Sequence, residues 1–155
     1  MHSDGARGAV VVTGSSTGIG RACALHLDRL GFKVFAGVRR EGDGERLRAE
    51  ASERLEPLIL DVTDSEHIAR AAERVSEATE ARLAGLVNNA GIGTGGPLEL
   101  LSVGDFRHQI EVNLIGQVAV TQAFIPALRH ARGRLVFISS IGGLIATPYL
   151  SLIHI

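Results

Sequence analysis

The residues of this chain that could do chemistry sit in short clusters, each just past an aliphatic run. The first is TGSSTGIG, residues 13–20, with Gly14, Gly18 and Gly20 spaced GxxxGxG. Glycine permits positive φ and lets a diphosphate come close to the backbone. Ser16, Thr17, Gly18 and Ile19 then lead into a helix whose free N–H groups and positive dipole end attract an anion. A tight strand-to-helix turn packed with small residues would need the same composition. No lysine follows the glycines, which excludes a P-loop. The second cluster is Arg39-Arg40, after KVFAGV. An acid there would hydrogen-bond a ribose diol. None is present, and an arginine can instead pair bidentately with a 2′-phosphate. The alternative is a solvated arginine pair. The third is Asp61-Val62, where the carboxylate could accept from an adenine amino group while Val62 packs near the ring, or could simply cap a turn. The fourth is NNAG: Asn88, Asn89, Ala90 and Gly91. Small residues suit a backbone running close to a ligand, and a buried amide must find partners, so Asn88 could equally tie neighbouring strands together. The last is the pair Ser139-Ser140.

These clusters need a scaffold that brings them to one edge, and the hydrophobic pattern supplies it. AVVVTG reads as a buried strand, and KVFAGV, PLILDV, GLVNNAG and RLVFIS as four further strands. Between them lie helical stretches: 18–30 closed by Gly31, a polar helix over 43–55, one from Asp64 to about 81, and a long one over 102–131. Asp64 is the expected N-cap of the third, with Ile68, Ala71, Ala72 and Val75 on its apolar face. The long helix is expected to turn Phe106, Ile110, Leu114, Gln117, Val118 and Phe124 inward. Strands alternating with helices predict an α/β fold, a Rossmann-like doubly wound parallel sheet. Ligands in such sheets bind outside the carboxyl ends of the strands, where all five clusters fall.

Composition narrows the classes. The 155 residues are 45% hydrophobic and 21% charged, enough for a packed core and unlike a disordered chain. A net charge of −1 argues against a nucleic-acid surface. The one cysteine, Cys23, forms no disulfide framework, and the six histidines show no metal-ligand spacing, so no metal site is expected. No apolar run reaches the ~18 residues of a membrane helix, and the start, MHSDGARG, lacks a signal-peptide pattern. The expectation is a cytoplasmic protein with no membrane or nucleic-acid partner.

TGSSTGIG, the DV at 61–62, NNAG, Asn113 within the long helix and ISS at 138–140 together resemble the short-chain dehydrogenase/reductase family, in that family's order. The look is closest to the branch with retinol, 17β-hydroxysteroid and 3-hydroxybutyrate dehydrogenases. The resemblance runs from about residue 8 to 149. It implies an NAD(P)-dependent oxidoreductase that transfers a hydride between a nicotinamide and an alcohol or carbonyl substrate. The implied cofactor is NADP, preferred on Arg39, with NAD possible. The implied cofactor contacts are Gly14, Ser16, Thr17, Gly18, Ile19, Gly20, Arg39, Asp61, Val62, Asn88, Asn89, Ala90 and Gly91. The implied catalytic residues are Ser140, bonding the substrate oxygen, and Asn113, holding a water by keeping its helix locally open. Ser139 is expected to point away from Ser140.

The resemblance also calls for a tyrosine thirteen residues after the serine and a lysine four further on. Position 153 is Ile153. The one tyrosine is Tyr149 and the one lysine is Lys33, at the start of the second strand. On this reading residues 1–149 are an incomplete NAD(P)-binding domain truncated after the fifth strand, roughly the first three-fifths of the family domain. The chain as it stands is expected to be inactive. Residues 150–155, LSLIHI, match the translation of CTG TCT CTT ATA CAC ATC, a transposon end used as a sequencing adapter, and are expected to be an adapter-derived tail. The alternative reading is a non-catalytic nucleotide-binding module. A homo-oligomer is expected only for a full-length form.

Overall fold

The computed structural model describes residues 7–94 and 96–143. Tyr149 and the expected tail at 150–155 lie outside the described residues. The strands are β1 (Ala9–Val12), β2 (Lys33–Val38), β3 (Leu55–Ile59), β4 (Gly85–Asn88) and β5 (Arg134–Phe137), and every adjacent pair is parallel, in the order β3-β2-β1-β4-β5. The chain runs outward from β1 through β2 to β3, then returns to β4 beside β1. The switch of direction therefore falls between the carboxyl ends of β1 and β4, where such sheets bind ligands. This is the Rossmann-like sheet expected from the sequence.

Alternation along the strands divides the core in two. Val11, Phe35 and Leu86 face α3 (Ser65–Thr79) and α5 (Gly116–Ala131), packing with Val75, Val120 and Phe124. Val10, Val12, Val34, Ala36 and Val87 face α1 (Gly18–Arg29) and α2 (Glu41–Arg48), packing with Ala24, Leu25 and Leu47. Burial on both faces explains why these strands are nearly all apolar. Pro57 lacks a ladder N–H and sits in β3, at a sheet edge, where that donor is not needed.

Capping sets the helix starts. Asp64 accepts from the amides of Glu66 and His67 at 2.8 and 3.1 Å, as expected. These bonds, with His67 and Arg70 nearby, hold its carboxyl below the usual range. The expected helix over 43–55 is shorter and earlier, Glu41–Arg48. Leu55 opens β3 instead, because pairing with Val34 buries it to 2% exposure, and pairing overrides local propensity. Asp28, itself buried, accepts from the Ser52 amide at 2.9 Å and from its hydroxyl, fixing the turn before β3.

The long helix departs most from expectation. It is α4 (Val103–Ile110), one π-turn (Glu111–Ile115), then α5. Of the residues expected inside, Gln117 and Phe124 are buried, whereas Phe106, Ile110, Leu114 and Val118 are exposed. The wider turn is closed by the Gly116 amide on the Glu111 carbonyl, and Val112 within it and Gly116 and Val120 after it turn inward. Gly116 is needed here: a Cβ would lie 2.7 Å from the Val62 carbonyl oxygen. β5 closes the other edge among the described residues. Leu135, Val136, Phe137 and Ile138 are each 41–53% exposed. No helix among the described residues is long and apolar enough to cross a membrane.

Candidate active site

A cavity of about 500 Å³ opens at the carboxyl edge of β1, β2 and β4. Gly14, Ser16, Thr17, Gly18 and Ile19 line it from the first loop, Arg39 from β2, Asp61 and Val62 from the loop after β3, and Asn89, Ala90 and Gly91 from the loop after β4. Eleven of the thirteen residues expected to contact a cofactor thus share one cavity. The other two, Gly20 and Asn88, do not line it.

Gly20 acts one layer behind. A Cβ there would run into the Asn89 amide nitrogen and the Gly14 carbonyl oxygen, so its role is close packing of α1 on the loop. Asn88 is 2% exposed and donates to Thr121 Oγ1 at 2.8 Å, tying β4 to α5. The side chain thus has a structural role, but it links strand to helix and not the neighbouring strands expected from the sequence. Its Oδ1 has no partner among the described residues.

The loop after β1 is shaped from behind by Thr13 and Asn89. Thr13, fully buried, accepts through Oγ1 from the amides of Asn89 and Ala90, both at 2.9 Å. Asn89 returns the link, its Nδ2 donating to the carbonyls of Thr13 and Gly14 at 3.0 and 3.1 Å. Gly14 has φ +64°, and a Cβ on it would lie 2.8 Å from Ala90 Cα. The Gly14 turn and the NNAG turn therefore lock together. The start of α1 is left open. Thr17 is in the N-cap position yet makes no side-chain cap, and the first turn carries no acid. By contrast α3 and α4 are capped by Asp64 and Ser102. An uncapped helix start facing a cavity offers its free N–H groups to an anion.

At the far end, Asp61 Oδ1 accepts from Thr63 N at 2.9 Å and Thr63 Oγ1 at 2.7 Å. Burial acts to raise its pKa, but these bonds and the positive charge of Arg39 and His67 outweigh it, holding the carboxyl below its ordinary range. Asp61 therefore caps its turn as an anion and still lines the cavity. Arg39 is exposed and forms no ion pair among the described residues, whereas Arg40 heads α2, its carbonyl accepting from Asp43 at 3.1 Å. Lys33 lies at the opposite end of β2, bonded to Glu56 at 3.0 Å.

A second cavity, of about 520 Å³, adjoins the first and shares Asn89, Ala90, Gly91, Ile92 and Ile138 with it. Asn113, Ser139 and Ser140 line it together. The expected opposition of the two serines is not observed: β5 ends at Phe137, so strand alternation no longer governs them. Ser140 Oγ accepts from the Gly142 amide at 3.1 Å, which leaves its own O–H free to donate. Asn113 sits in the π-turn, the locally opened helix expected of it, but its amide is engaged. It accepts from Ile92 N and donates to Ile92 O, both at 2.8 Å. Sequence reasoning missed Thr13, hidden as the first letter of a glycine motif, and Gln109, four residues before Asn113. No group of three or more metal-ligating side chains occurs among the described residues.

The short chain dehydrogenase family model matches residues 8–152. The chain belongs to this family. It is 45% identical over 139 residues to dehydrogenase/reductase SDR family member 9 of Bos taurus, covering 88% of this chain and 44% of that protein. It is 46% identical over 136 residues to retinol dehydrogenase 16 of Mus musculus, covering 86% and 43%. It is 48% identical over 140 residues to estradiol 17-beta-dehydrogenase 2 of Mus musculus, covering 87% and 36%. The chain thus falls in the retinol and hydroxysteroid branch and spans less than half the length of these curated relatives. Two solved structures share the fold. A short-chain dehydrogenase from Streptomyces avermitilis has a TM-score of 0.86 at 33% identity, over 94% of this chain and 54% of that one. An alcohol dehydrogenase from Thermococcus sibiricus, complexed with 5-hydroxy-NADP, has a TM-score of 0.85 at 30% identity, over 94% and 63%.

Proposed function

We propose that this chain binds a nicotinamide dinucleotide, NADP(H) in preference to NAD(H), and serves an oxidoreductase acting on a small-molecule alcohol or carbonyl compound. The observation that carries the reading is the uncapped start of α1, which opens with Gly14, Arg39 and Asp61 onto one cavity. The fit is physical. Gly14 has φ +64° and no room for a Cβ against Ala90, so the loop can hold the tight turn that brings its backbone to a diphosphate. The α1 amides favour that anion, and Arg39 is placed for a 2′-phosphate at the end of β2, where positions 38 and 39 hold no acid. Asp61, kept ionised, can accept from an adenine amino group through its second oxygen, beside Val62. Gly91 and Ile92 would carry the nicotinamide end toward the second cavity. When bound, the nicotinamide supplies or accepts the hydride. The residues of the chain orient it: Thr13 and Asn89 fix the loop, and Ser140 offers its hydroxyl to a substrate oxygen. The localisation we propose is cytoplasmic.

A tyrosine and lysine in the spacing YxxxK do not occur in the sequence, Tyr149 being followed four residues on by Ile153. The second reading is a module that binds the dinucleotide without turnover. Oxidation of NADPH by the chain on a panel of ketones and aldehydes would exclude the second reading, and the same assay on a chain extended to carry the family's tyrosine and lysine tests the first.

Calorimetric titration with NADP⁺ and NAD⁺ tests the binding proposal. A charge-assisted hydrogen bond contributes ~1.5–3 kcal/mol, so NADP⁺ should bind about 10- to 100-fold tighter. Arg39→Asp should reverse the order. Equal affinities in the unmutated chain would overturn the preference.

A further inference from the structure

We infer that Gln109 and Gln117 are positioning residues that hold the loop after β4 open for the nicotinamide half of the dinucleotide; the inference rests on the dinucleotide-binding proposal above. Three carboxamides stand four residues apart along α4, the π-turn and α5: Gln109, Asn113 and Gln117. Each grips every second residue of the loop. Gln117 Nε2 donates to the Ala90 carbonyl. Asn113 bonds Ile92 in both directions. Gln109 Oε1 accepts from the Thr94 amide at 2.6 Å. Gln109 and Gln117 are 7% and 6% exposed, so neither is a solvated surface amide.

The spacing matches physically. Four helical residues rise about 6 Å, and two extended residues advance about 6.6 Å. A regular α-helix overshoots a full turn by about 40° every four residues, which would swing the outer rungs off line. The π-turn between them holds more residues per turn and takes up that overshoot. The helix therefore substitutes side-chain amides for a neighbouring strand. The loop lies extended with its helix-facing polar groups satisfied, while Gly91 lines both cavities. The amides of Gly91 and Gly93 have no partner among the described residues. Held this way, the Gly91 amide is available to a ligand along the wall between the two cavities.

The two glutamines have opposite polarity, and this makes the inference testable. Gln109 acts as an acceptor, so Gln109→Glu should keep its bond and Gln109→Leu should lose it. Gln117 acts as a donor, so Gln117→Glu should set a carboxylate against the Ala90 carbonyl. The probes are NADP⁺ and 2′,5′-ADP, which lacks the nicotinamide half. Gln117→Glu and Gln109→Leu should each weaken NADP⁺ about tenfold, with 2′,5′-ADP unchanged and Gln109→Glu near the parent. Gln117→Glu should regain NADP⁺ affinity as the pH is lowered and the new carboxyl takes up a proton. Amide exchange at Thr94 should accelerate in Gln109→Leu and not in Gln109→Glu. Equal behaviour of the two glutamate variants, parallel loss of 2′,5′-ADP, or unchanged Thr94 exchange would overturn the inference while leaving the dinucleotide proposal standing. A parent chain that binds neither probe would overturn that proposal, and this inference with it.

Discussion

Replacing Thr13 with valine removes one hydroxyl and keeps the shape of the side chain, so its effect can be worked from the hydrogen bonds. Oγ1 accepts from the amides of Asn89 and Ala90 at 2.9 Å, and the residue is wholly buried. Valine leaves both N–H groups, in a half-buried turn, without their acceptor. A buried group left unsatisfied costs ~1–3 kcal/mol, and the partial relief open to a flexible loop brings the sum to about 3 kcal/mol. For a chain of this size that corresponds to a fall in melting temperature of about 10 °C. Serine is the control. It restores the acceptor and gives up one methyl group, which costs about 1 kcal/mol. The expected order of stability is threonine, then serine, then valine, measured as urea midpoints at constant slope. NADP⁺ affinity should fall in the same order, because the two amides fix the loop that separates the cavities. A valine variant as stable as the serine variant would refute the reasoning, since it would mean the hydroxyl holds nothing that shape alone does not.

Acid should loosen the β2–β3 edge through Glu56. Burial acts to raise its pKa, but hydrogen bonds and charge from Lys33 and Arg74 outweigh it and hold it below the ordinary value. Its contribution to stability is present above the free-glutamate value of about 4.3 and is lost as the pH falls through the lower folded value. Urea midpoints from pH 6 to 3 should fall less steeply in Glu56→Gln, and parallel curves would remove Glu56 as the cause. In a chain extended to carry the family's tyrosine and lysine, Ser140→Ala should lower kcat about 10²- to 10³-fold with little change in NADP⁺ affinity. Ser139→Ala should cost less than about tenfold, and the reverse order in kinetics would shift the assignment by one residue. The 155-residue chain should self-associate through β5, whose apolar residues are about half exposed. Light scattering should fall in the double variant Val136→Lys, Phe137→Lys, and unchanged scattering would point to another surface.

The alternation of aliphatic runs with amphipathic stretches was enough to read five parallel strands and their helices, because burial on both faces leaves the central strands β1, β2 and β4 with almost no polar positions. The same logic put the chemistry at the carboxyl ends, and eleven of thirteen contact residues meet in one cavity. Asp64 was legible as a cap because capping is local, its bonds reaching only two and three residues ahead. What the sequence could not carry is whatever depends on a partner distant in the chain. The roles of Gly20 and Asn88 turn on Asn89 and Thr121, and no spacing rule reports that a Cβ or an amide will meet them. Leu55 was read into a helix because its pairing with Val34 is not written nearby. The inner face of the long helix differs from the periodic reading at Phe106, Ile110, Leu114 and Val118, and part of that register passes through a π-turn closed by the Gly116 amide on the Glu111 carbonyl, which no residue pattern reports. Local physics thus decided the elements and their ends. The fine direction of side chains at the site was decided by contacts that form only once the sheet brings β1 and β4 together.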